Sequence, residues 1–148
     1  MRLYAFPLPV VAACTGHALA GGALYLLCCD LRLGAEGAFK VGLNEVQIGL
    51  PLPLLGRELA KARLSKRHLQ QATVMARIYA PDEACDAGYL DQVVKADALV
   101  ATAKAEAARL AELSPAAYAM TKVRMREATI AAIESGFEED LAQLKKIG

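Results

Sequence analysis

Residues 16–22 read GHALAGG and lie between a short apolar segment, residues 10–14 (VVAAC), and an apolar run, residues 23–29 (ALYLLCC). This pattern predicts a buried strand, a turn of small residues and a short buried helix. A glycine turn at the start of a helix leaves backbone N–H groups without partners, and these can hold an oxygen that carries negative charge. We therefore predict that the turn forms half of an oxyanion site, with the other working part at Asn44 and Glu45.

The composition indicates one folded domain. The chain has 148 residues, 55% of them hydrophobic, and a mean hydropathy of +0.29, which is enough for a substantial core. The formal net charge is +1, and no basic block or alternation of basic and aromatic residues indicates nucleic acid as a partner. The four cysteines lack metal-ligand spacing, so no metal site is expected. Cys28 and Cys29 lie in the apolar run, and we interpret them as reduced core residues of a cytoplasmic protein.

The uncharged opening of the chain leaves two membrane interpretations to weigh. No formal charge occurs between Arg2 and Asp30. A spanning helix is disfavoured because prolines and glycines interrupt the run where a lone helix would find no partners. A signal peptide would have Arg2 as its charged end and residues 18–20 (ALA) as its cleavage site, and residues 11–14 (VAAC) resemble a lipoprotein cleavage box. On composition alone, export therefore stays open.

The rest of the chain divides into an early part rich in strands and glycines and a later part that is nearly all helix. Strands are predicted at residues 10–14, 30–33, 38–41 and 90–94, with a turn at 34–37 and an irregular loop at 42–49. Helices are predicted at residues 21–29, 54–64, 65–76, 81–87, 97–113, 114–134 and 137–146, with Asp97 as a cap and Gly136 as a helix break. The fold class predicted is α/β, with strands mainly before residue 50.

The segments resemble, in their order, the crotonase superfamily of enoyl-CoA hydratases and isomerases. The resemblance runs from residue 7 to residue 122, and the ordered set of motifs is more specific than any one of them. Its motifs are residues 9–13 (PVVAA), 16–22 (GHALAGG), 29–32 (CDLR), 39–49 with GLNE at 42–45, 79–90 (YAPDEACDAGYL) and 114–122 (SPAAYAMTK). The resemblance favours a cytoplasmic protein without a membrane segment.

The resemblance implies a partial crotonase-like (ββα-type) core over residues 1–94 and a helical oligomerisation part over residues 95–148. It implies that N-terminal strands, a second oxyanion N–H and part of the coenzyme A pocket are missing from this chain. It further implies an acyl-CoA substrate, with coenzyme A entering as part of that substrate and no separate cofactor. Such proteins form trimers or dimers of trimers, so we expect a homo-oligomer.

Two residues are expected to carry the chemistry. By resemblance, Gly21 supplies an oxyanion N–H, and its lack of a side chain would let a substrate approach the backbone; the alternative is that the glycine only allows close packing of strand and helix. Glu45 is the candidate acid and base. It is the only charged residue in the stretch 41–50, so burial among apolar neighbours would raise its pKa. The alternative is a loop glutamate that points into water.

Leu24 distinguishes two branches of the family. Hydratases of this type usually carry a second glutamate on the helix after the glycine turn, and that position corresponds to Leu24. One carboxylate can move a proton between two carbons but is poorly suited to adding water. Leu24 and residues 42–45 resemble the 3,2-enoyl-CoA isomerase branch. We therefore expect Glu45 to take a proton from C2 of a 3-enoyl thioester and return it to C4, with the enolate oxygen on the Gly21 N–H.

The substrate pocket is expected to be lined by five residues: His17, Ala20, Leu24, Asn44 and Gly49. For the histidine, a packed position in the turn is an equal alternative.

Several charged residues have weaker assignments. We expect Asp30 to cap a helix or form a structural ion pair. Lys122, Arg124 and Arg126 could contact the phosphates of coenzyme A, although a solvated helix face is the alternative that we favour. Two alternatives to the isomerase stay open for the protein as a whole. One is a non-catalytic binding or oligomerising module, and the other is a different lyase or hydratase of the same superfamily.

Overall fold

The computed structural model describes residues 1–146. Within them, the strands are β1 (Val11–Cys14), β2 (Ala18–Leu19), β3 (Leu31–Ala35), β4 (Val41–Gly42) and β5 (Gln92–Val94). The helices are α1 (Gly21–Cys28), α2 (Leu54–Arg63), α3 (Lys66–Thr73), α4 (Pro81–Ala87), α5 (Leu99–Ala111) and α6 (Pro115–Leu144), and a 3₁₀ turn spans Val46–Ile48. All strands but β5 lie before residue 50 in the described chain, which confirms the predicted α/β class and its order.

Two small parallel sheets organise the first half of the chain. The larger sheet has the order β1-β3-β5, with Val11 opposite Leu31 at its start. The smaller sheet pairs β2 with β4, and Leu19 lies opposite Gly42. Parallel strands need a crossover, and α1 supplies the one from β1 to β3. The burial of α1 against α2 explains why this helix is apolar around most of its circumference.

A buried ion cluster ties the helical part to the core. Asp30, at the end of α1, contacts Arg126 Nη2 at 2.7 Å through Oδ1 and Lys122 Nζ at 2.6 Å through Oδ2. The same Oδ2 accepts the Val10 N–H at 2.7 Å. The structural ion pair expected for Asp30 is therefore confirmed. The interpretation of Lys122 and Arg126 as members of a solvated face is wrong, because both are buried and paired, whereas Arg124 is exposed.

The last helix corrects the prediction of a break at Gly136. Helix α6 runs through this position without interruption. A Cβ atom at Gly136 would lie 2.7 Å from Leu54 Cδ2, so the glycine allows α6 to approach α2 closely. The approach is fixed by Asp140, which accepts the Leu54 N–H at 2.8 Å and pairs with Arg57 at 3.2 Å. Packing between helices, which the local sequence does not encode, outweighs the helix-breaking tendency of glycine here.

Other boundaries differ from the predicted ones. Strand β3 continues through Gly34, where a turn was predicted, because Gly34 pairs with Val93 of β5. The glycine leaves room for Leu90, since a Cβ atom there would lie 2.5 Å from Leu90 Cδ1. The strand predicted at residues 38–41 forms only from Val41, and β2 was not predicted. The cap of α5 is Ala98 rather than Asp97. Helix α3 ends at Thr73 rather than at residue 76.

The apolar opening of the chain is part of the core. Residues 11–14 form β1, and Tyr4 is buried with its ring 4.2 Å from the Arg126 guanidinium. Among the described residues, none of the helices combines the length and the apolar character that crossing a membrane requires.

Two glycines with positive φ give a matched stability prediction. Gly88 ends α4 with φ +93°, and a Cβ atom there would lie 2.8 Å from the Arg63 carbonyl oxygen. Gly49 has φ +79°, but a Cβ atom there would meet nothing within 4 Å. Backbone strain should lower the free energy of unfolding of both Ala variants by about 1 kcal/mol. The clash with the backbone should lower that of Gly88→Ala by roughly 1–2 kcal/mol more. Urea unfolding midpoints of the two variants measure this difference, and equal midpoints would contradict it.

Candidate active site

The two loops expected to carry the chemistry leave the same edge of the smaller sheet. Leu19 pairs with Gly42 in the parallel register of β2 and β4, and the Ala20 N–H donates to the Gly42 carbonyl at 3.0 Å. Parallel strands end at a common edge. Gly21 follows this pairing by two residues and Glu45 follows it by three, so the fold brings the glycine turn and the glutamate loop together.

The glycine turn holds strained backbone directly before α1. Ala20 has φ +46° and ψ −116°, which is an unfavourable region for a residue with a Cβ atom. The first intrahelical hydrogen bond of α1 runs from the Leu24 N–H to the Ala20 carbonyl at 3.1 Å. The N–H groups of Gly21 and Gly22 precede it and have no partner inside the helix. Gly21 is exposed, and the space that a Cβ atom would occupy is open.

Glu45 is buried although it lies in a loop. It is only 6% exposed, and its Oε2 atom has no hydrogen-bond partner in residues 1–146. Burial raises the pKa of this carboxyl above its ordinary value, and no neighbouring carboxylate within the described chain contributes to the shift. The alternative of a glutamate that points into water is therefore wrong. A carboxyl whose pKa is raised by burial is suited to act as both acid and base.

The loop around Glu45 is rigid because its backbone is hydrogen-bonded. The Glu45 carbonyl accepts the N–H groups of Ile48 and Leu50, both at 3.0 Å. Gly49 closes the 3₁₀ turn in the left-handed conformation. Asn44 is half-buried beside it, and its Oδ1 atom has no partner in the described chain. The loop therefore holds Glu45 in place through the main chain and leaves side-chain acceptors free.

A cavity lies at the start of α1. It has a volume of about 530 Å³ and is lined by Gly21 and Leu24 together with Met1, Arg2, Leu3, Tyr25, Cys28 and Leu55. The Leu24 side chain reaches α2, where its Cδ2 atom would lie 3.4 Å from a Cβ atom at Gly56. Leu52 and Val46 line a second apolar cavity of about 470 Å³. Two predicted site residues, Gly21 and Leu24, thus line the first cavity, while Val46, which follows Glu45, lines the second.

His17 occupies a different groove. Its Nδ1 atom accepts the Lys40 N–H at 2.9 Å, and its ring meets the Phe39 ring edge-on at 5.8 Å. The groove of about 470 Å³ that it lines also includes Gly22. His17 is therefore an exposed residue of the turn, held by one hydrogen bond and one ring contact, and it does not line the cavity that Gly21 and Leu24 share. In the described residues, no group of three or more His, Cys, Asp or Glu side chains is placed to hold a metal ion.

Comparison with known families decides the classification. A family model for enoyl-CoA hydratase/isomerase matches residues 1–148. The chain belongs to the enoyl-CoA hydratase/isomerase family. The crotonase resemblance, the fold that it implied and membership of a family of enzymes are thereby confirmed.

Curated members of the family include both isomerases and hydratases. The human mitochondrial enoyl-CoA delta isomerase 1 is 31% identical over 142 residues, which cover 95% of this chain and 47% of the isomerase. The 2,3-dehydroadipyl-CoA hydratase of Escherichia coli is 30% identical over 145 residues, which cover 94% of this chain and 54% of the hydratase. The chain thus spans about half the length of the curated relatives it matches.

The fold agrees closely with a solved member of the family. The crystal structure of an enoyl-CoA hydratase/isomerase family protein from Pseudomonas syringae superposes with a TM-score of 0.94 at 38% sequence identity. The match covers 97% of this chain and 62% of that protein. The arrangement of α1 and the two small sheets is therefore that of a crotonase fold.

A polar cluster near the site was not predicted from the sequence. Tyr79 and Tyr89 are fully buried, and the hydroxyl of each has no partner in the described residues. Both ring nitrogens of the half-buried His68 also lack a hydrogen-bond partner in the described residues. In the sequence, the tyrosines belong to the motif at residues 79–90 and read as ordinary apolar positions. Only the fold shows that they share a buried core cluster with Leu43, two residues before Glu45.

The buried carboxyl gives a pH-dependent stability prediction. A carboxyl whose pKa is raised by folding contributes stability that is present below its unfolded pKa and lost as the pH rises through its folded pKa. Glu45→Gln removes this loss because the amide does not ionise. We expect the variant to melt a few degrees above the wild type at pH 7–8, and the difference to vanish near pH 4. Thermal unfolding followed by circular dichroism measures both values, and a difference that does not change with pH would contradict the assignment.

Proposed function

We propose that this protein is an enoyl-CoA isomerase that moves a carbon–carbon double bond in a 3-enoyl thioester to the conjugated position. Glu45 removes a proton from C2 to give a dienolate. The C2–C3 double bond then forms as the electron pair of the C3–C4 double bond takes up the same proton at C4, which regenerates the carboxylate. The observation that carries the proposal is one buried carboxyl, whose pKa burial raises, on a loop that leaves the same sheet edge as an open glycine turn. A proton transfer of this kind needs no separate cofactor, and coenzyme A enters as part of the substrate.

The negative charge of the intermediate needs a donor, and Gly21 is proposed to supply one. The enolate oxygen would rest on the Gly21 N–H, at the positive end of α1. Two observations support this role. The N–H precedes the first bonded turn of the helix, and the position above Gly21 is free of side chains. Removing one such donor typically costs on the order of 10²–10³ in rate.

Leu24 supports isomerisation rather than hydration. Its side chain lines the same cavity as Gly21, at the position where a second glutamate is expected in the hydratase branch. A neutral apolar group there cannot activate water. The human relative is named a delta isomerase, which agrees with this proposal, whereas the Escherichia coli relative is named a hydratase. Hydration by Glu45 alone is the competing chemistry.

The remaining pocket residues and the assembly are part of the same proposal. Ala20, Asn44 and Gly49 shape the turn and the loop around the thioester, and His17 borders the neighbouring groove. We also propose a cytoplasmic homo-oligomer, a trimer or hexamer, and the apolar side chains that α6 leaves exposed support self-association. These are Met120, Val123, Met125, Phe137 and Leu141. Sedimentation equilibrium would measure the mass, and a monomer at all concentrations would contradict the assembly.

Product analysis tests the reaction. The chain is incubated separately with 3-enoyl-CoA and with 2-enoyl-CoA, and the products are separated by liquid chromatography with mass detection. The isomerase proposal predicts conversion of the first thioester to the second without a gain in mass. Formation of 3-hydroxyacyl-CoA, which is heavier by one water, would favour the hydratase instead.

A second candidate is a non-catalytic binding or oligomerising module. It is favoured by the apolar side chains of Val46, Ile48 and Leu50, which the site loop leaves exposed. Turnover of any coenzyme A ester by the purified chain would count decisively against this candidate. Self-association without turnover would support it.

A further inference from the structure

Several buried polar side chains lie in and near the Glu45 loop, and three of them, His68, Tyr79 and Tyr89, have no role in the proposed proton transfer. Each of these side chains has a buried atom without a hydrogen-bond partner in residues 1–146. These atoms are Asn44 Oδ1, Glu45 Oε2, both ring nitrogens of His68, and the hydroxyls of Tyr79 and Tyr89. Buried polar atoms in native proteins are nearly always paired, so a group of unpaired atoms in one region calls for a functional explanation.

Three neighbouring aromatic rings, tilted against one another, form a stack that runs from α3 towards β4. The His68 and Tyr79 ring centroids are 5.8 Å apart, and so are those of Tyr79 and Tyr89. The Tyr79 backbone is fixed to β4 by a pair of hydrogen bonds of 2.9 Å. Both tyrosines belong to the same buried core cluster as Leu43. Because Glu45 follows Leu43 by two residues, this places Tyr89 close to the glutamate loop.

We propose that the Tyr89 hydroxyl donates a hydrogen bond to the Glu45 carboxylate and positions it for proton transfer, and that Tyr79 and His68 continue this chain of donors and acceptors. The unpaired atoms complement each other, since an ionised carboxyl only accepts and a tyrosine hydroxyl has a proton to donate. A rotamer change of Glu45 or one bridging water completes the contact. The positioning role rests on the proposed function, but the contact itself does not.

The electrostatics keep Tyr89 in its donor form. Burial raises the pKa of its hydroxyl, the backbone of Leu43 opposes the shift, and the Tyr79 and Glu45 groups add to it. Burial also raises the pKa of Tyr79. Both hydroxyls therefore stay protonated across the pH range in which Glu45 titrates.

Two further charged groups face the stack from the surface. The Arg77 guanidinium lies 4.9 Å from the centroid of the Tyr79 ring. Glu83 pairs with Arg77 at 2.9 Å, and both side chains are well exposed to solvent. This pair is screened by water and contributes little to the field at Glu45.

Carbon NMR titration of the full chain tests the contact directly. Glutamate side chains are labelled with ¹³C, and the Glu45 signal is assigned by its loss in Glu45→Gln. Tyr89→Phe removes only the hydroxyl, so the ionised form of Glu45 loses a donor and its pKa should rise by about one unit. In activity assays, the acid limb of the pH–rate profile should move upward by the same amount. Tyr4→Phe is the matched control, because Tyr4 is equally buried but stacks on Arg126, and it should change neither value.

A second measurement needs no variant. The Cζ signal of Tyr89 in the wild-type chain should show a titration step at the pKa of Glu45. An unchanged Glu45 pKa in Tyr89→Phe, or the absence of that step, would overturn the proposed contact. Absence of thioester turnover by the wild-type chain would contradict the proposed function but not the contact, since both NMR titrations report on the contact without any substrate.

Discussion

Glu45→Gln is expected to lower kcat for double-bond migration by about 10²–10⁴-fold. The amide keeps the size and polarity of the side chain but cannot take the C2 proton. KM should change little, because the carboxyl acts on a proton and does not anchor the thioester. Fold loss is not expected, since the variant removes a buried charge and should melt at a higher temperature near neutral pH.

Glu36→Gln is the matched control for this experiment. Glu36 is exposed at the end of β3, where its N–H donates to the Val94 carbonyl at 2.8 Å. Its side chain has no role in the proposed reaction, so turnover should stay at the wild-type level. Wild-type turnover in Glu45→Gln would remove Glu45 from the mechanism and, with it, the one-carboxylate account.

Asp30→Ala is expected to destabilise the protein by about 3–5 kcal/mol. The carboxylate contacts two buried cations, Lys122 and Arg126, and its loss leaves both uncompensated. It also accepts the Val10 N–H, so the entry into β1 loses a partner. Because Arg126 further donates to the Tyr4 carbonyl at 2.6 Å, the whole N-terminal segment should loosen from α6.

An exposed ion pair provides the comparison for Asp30. Glu106 pairs with Arg109 at 2.8 Å on the surface of α5, and Glu106→Ala should cost less than about 1 kcal/mol. Guanidinium unfolding curves of both variants give the two free energies. A loss for Asp30→Ala as small as that for Glu106→Ala would show that the buried cluster does not hold α6 to the core.

The elements predicted well from the sequence are those with strong local signals. The apolar run after the glycine turn formed α1, and the proline and acids at residues 81–83 started α4. Gly88 ended that helix in the left-handed conformation. In each case the residues that decide the structure lie within one or two turns of it, so the pattern alone is sufficient.

The wrong predictions arise where a residue that is distant in the sequence decides the local structure. Gly34 and Gly136 read as a turn and a helix break, but each allows close packing against a leucine, Leu90 or Leu54, that is far away in the sequence. Lys122 read as solvated because its partner, Asp30, lies on another element. The two-residue strand β2 has too little pattern of its own and exists through its pairing with β4.

The candidate site divides in the same way. Gly21 and Glu45 were predicted from their local pattern and the family resemblance, and the smaller sheet shows that their two loops leave a common edge. The burial of Glu45 could be argued from its apolar neighbours. Tyr79 and Tyr89, by contrast, carry no local signal, because their place in one core cluster with Leu43 depends on packing between segments that are distant in the sequence.

An isotope experiment tests the central claim most directly. A 3-enoyl-CoA deuterated at C2 is converted in ordinary water, and the position of deuterium in the conjugated product is read by NMR. Because Glu45 is only 6% exposed, the proton that it carries should exchange slowly with solvent. The account predicts deuterium at C4 of the product and no conversion above background in Glu45→Gln. Efficient conversion with no deuterium at C4, or with 3-hydroxyacyl-CoA as the main product, would contradict it.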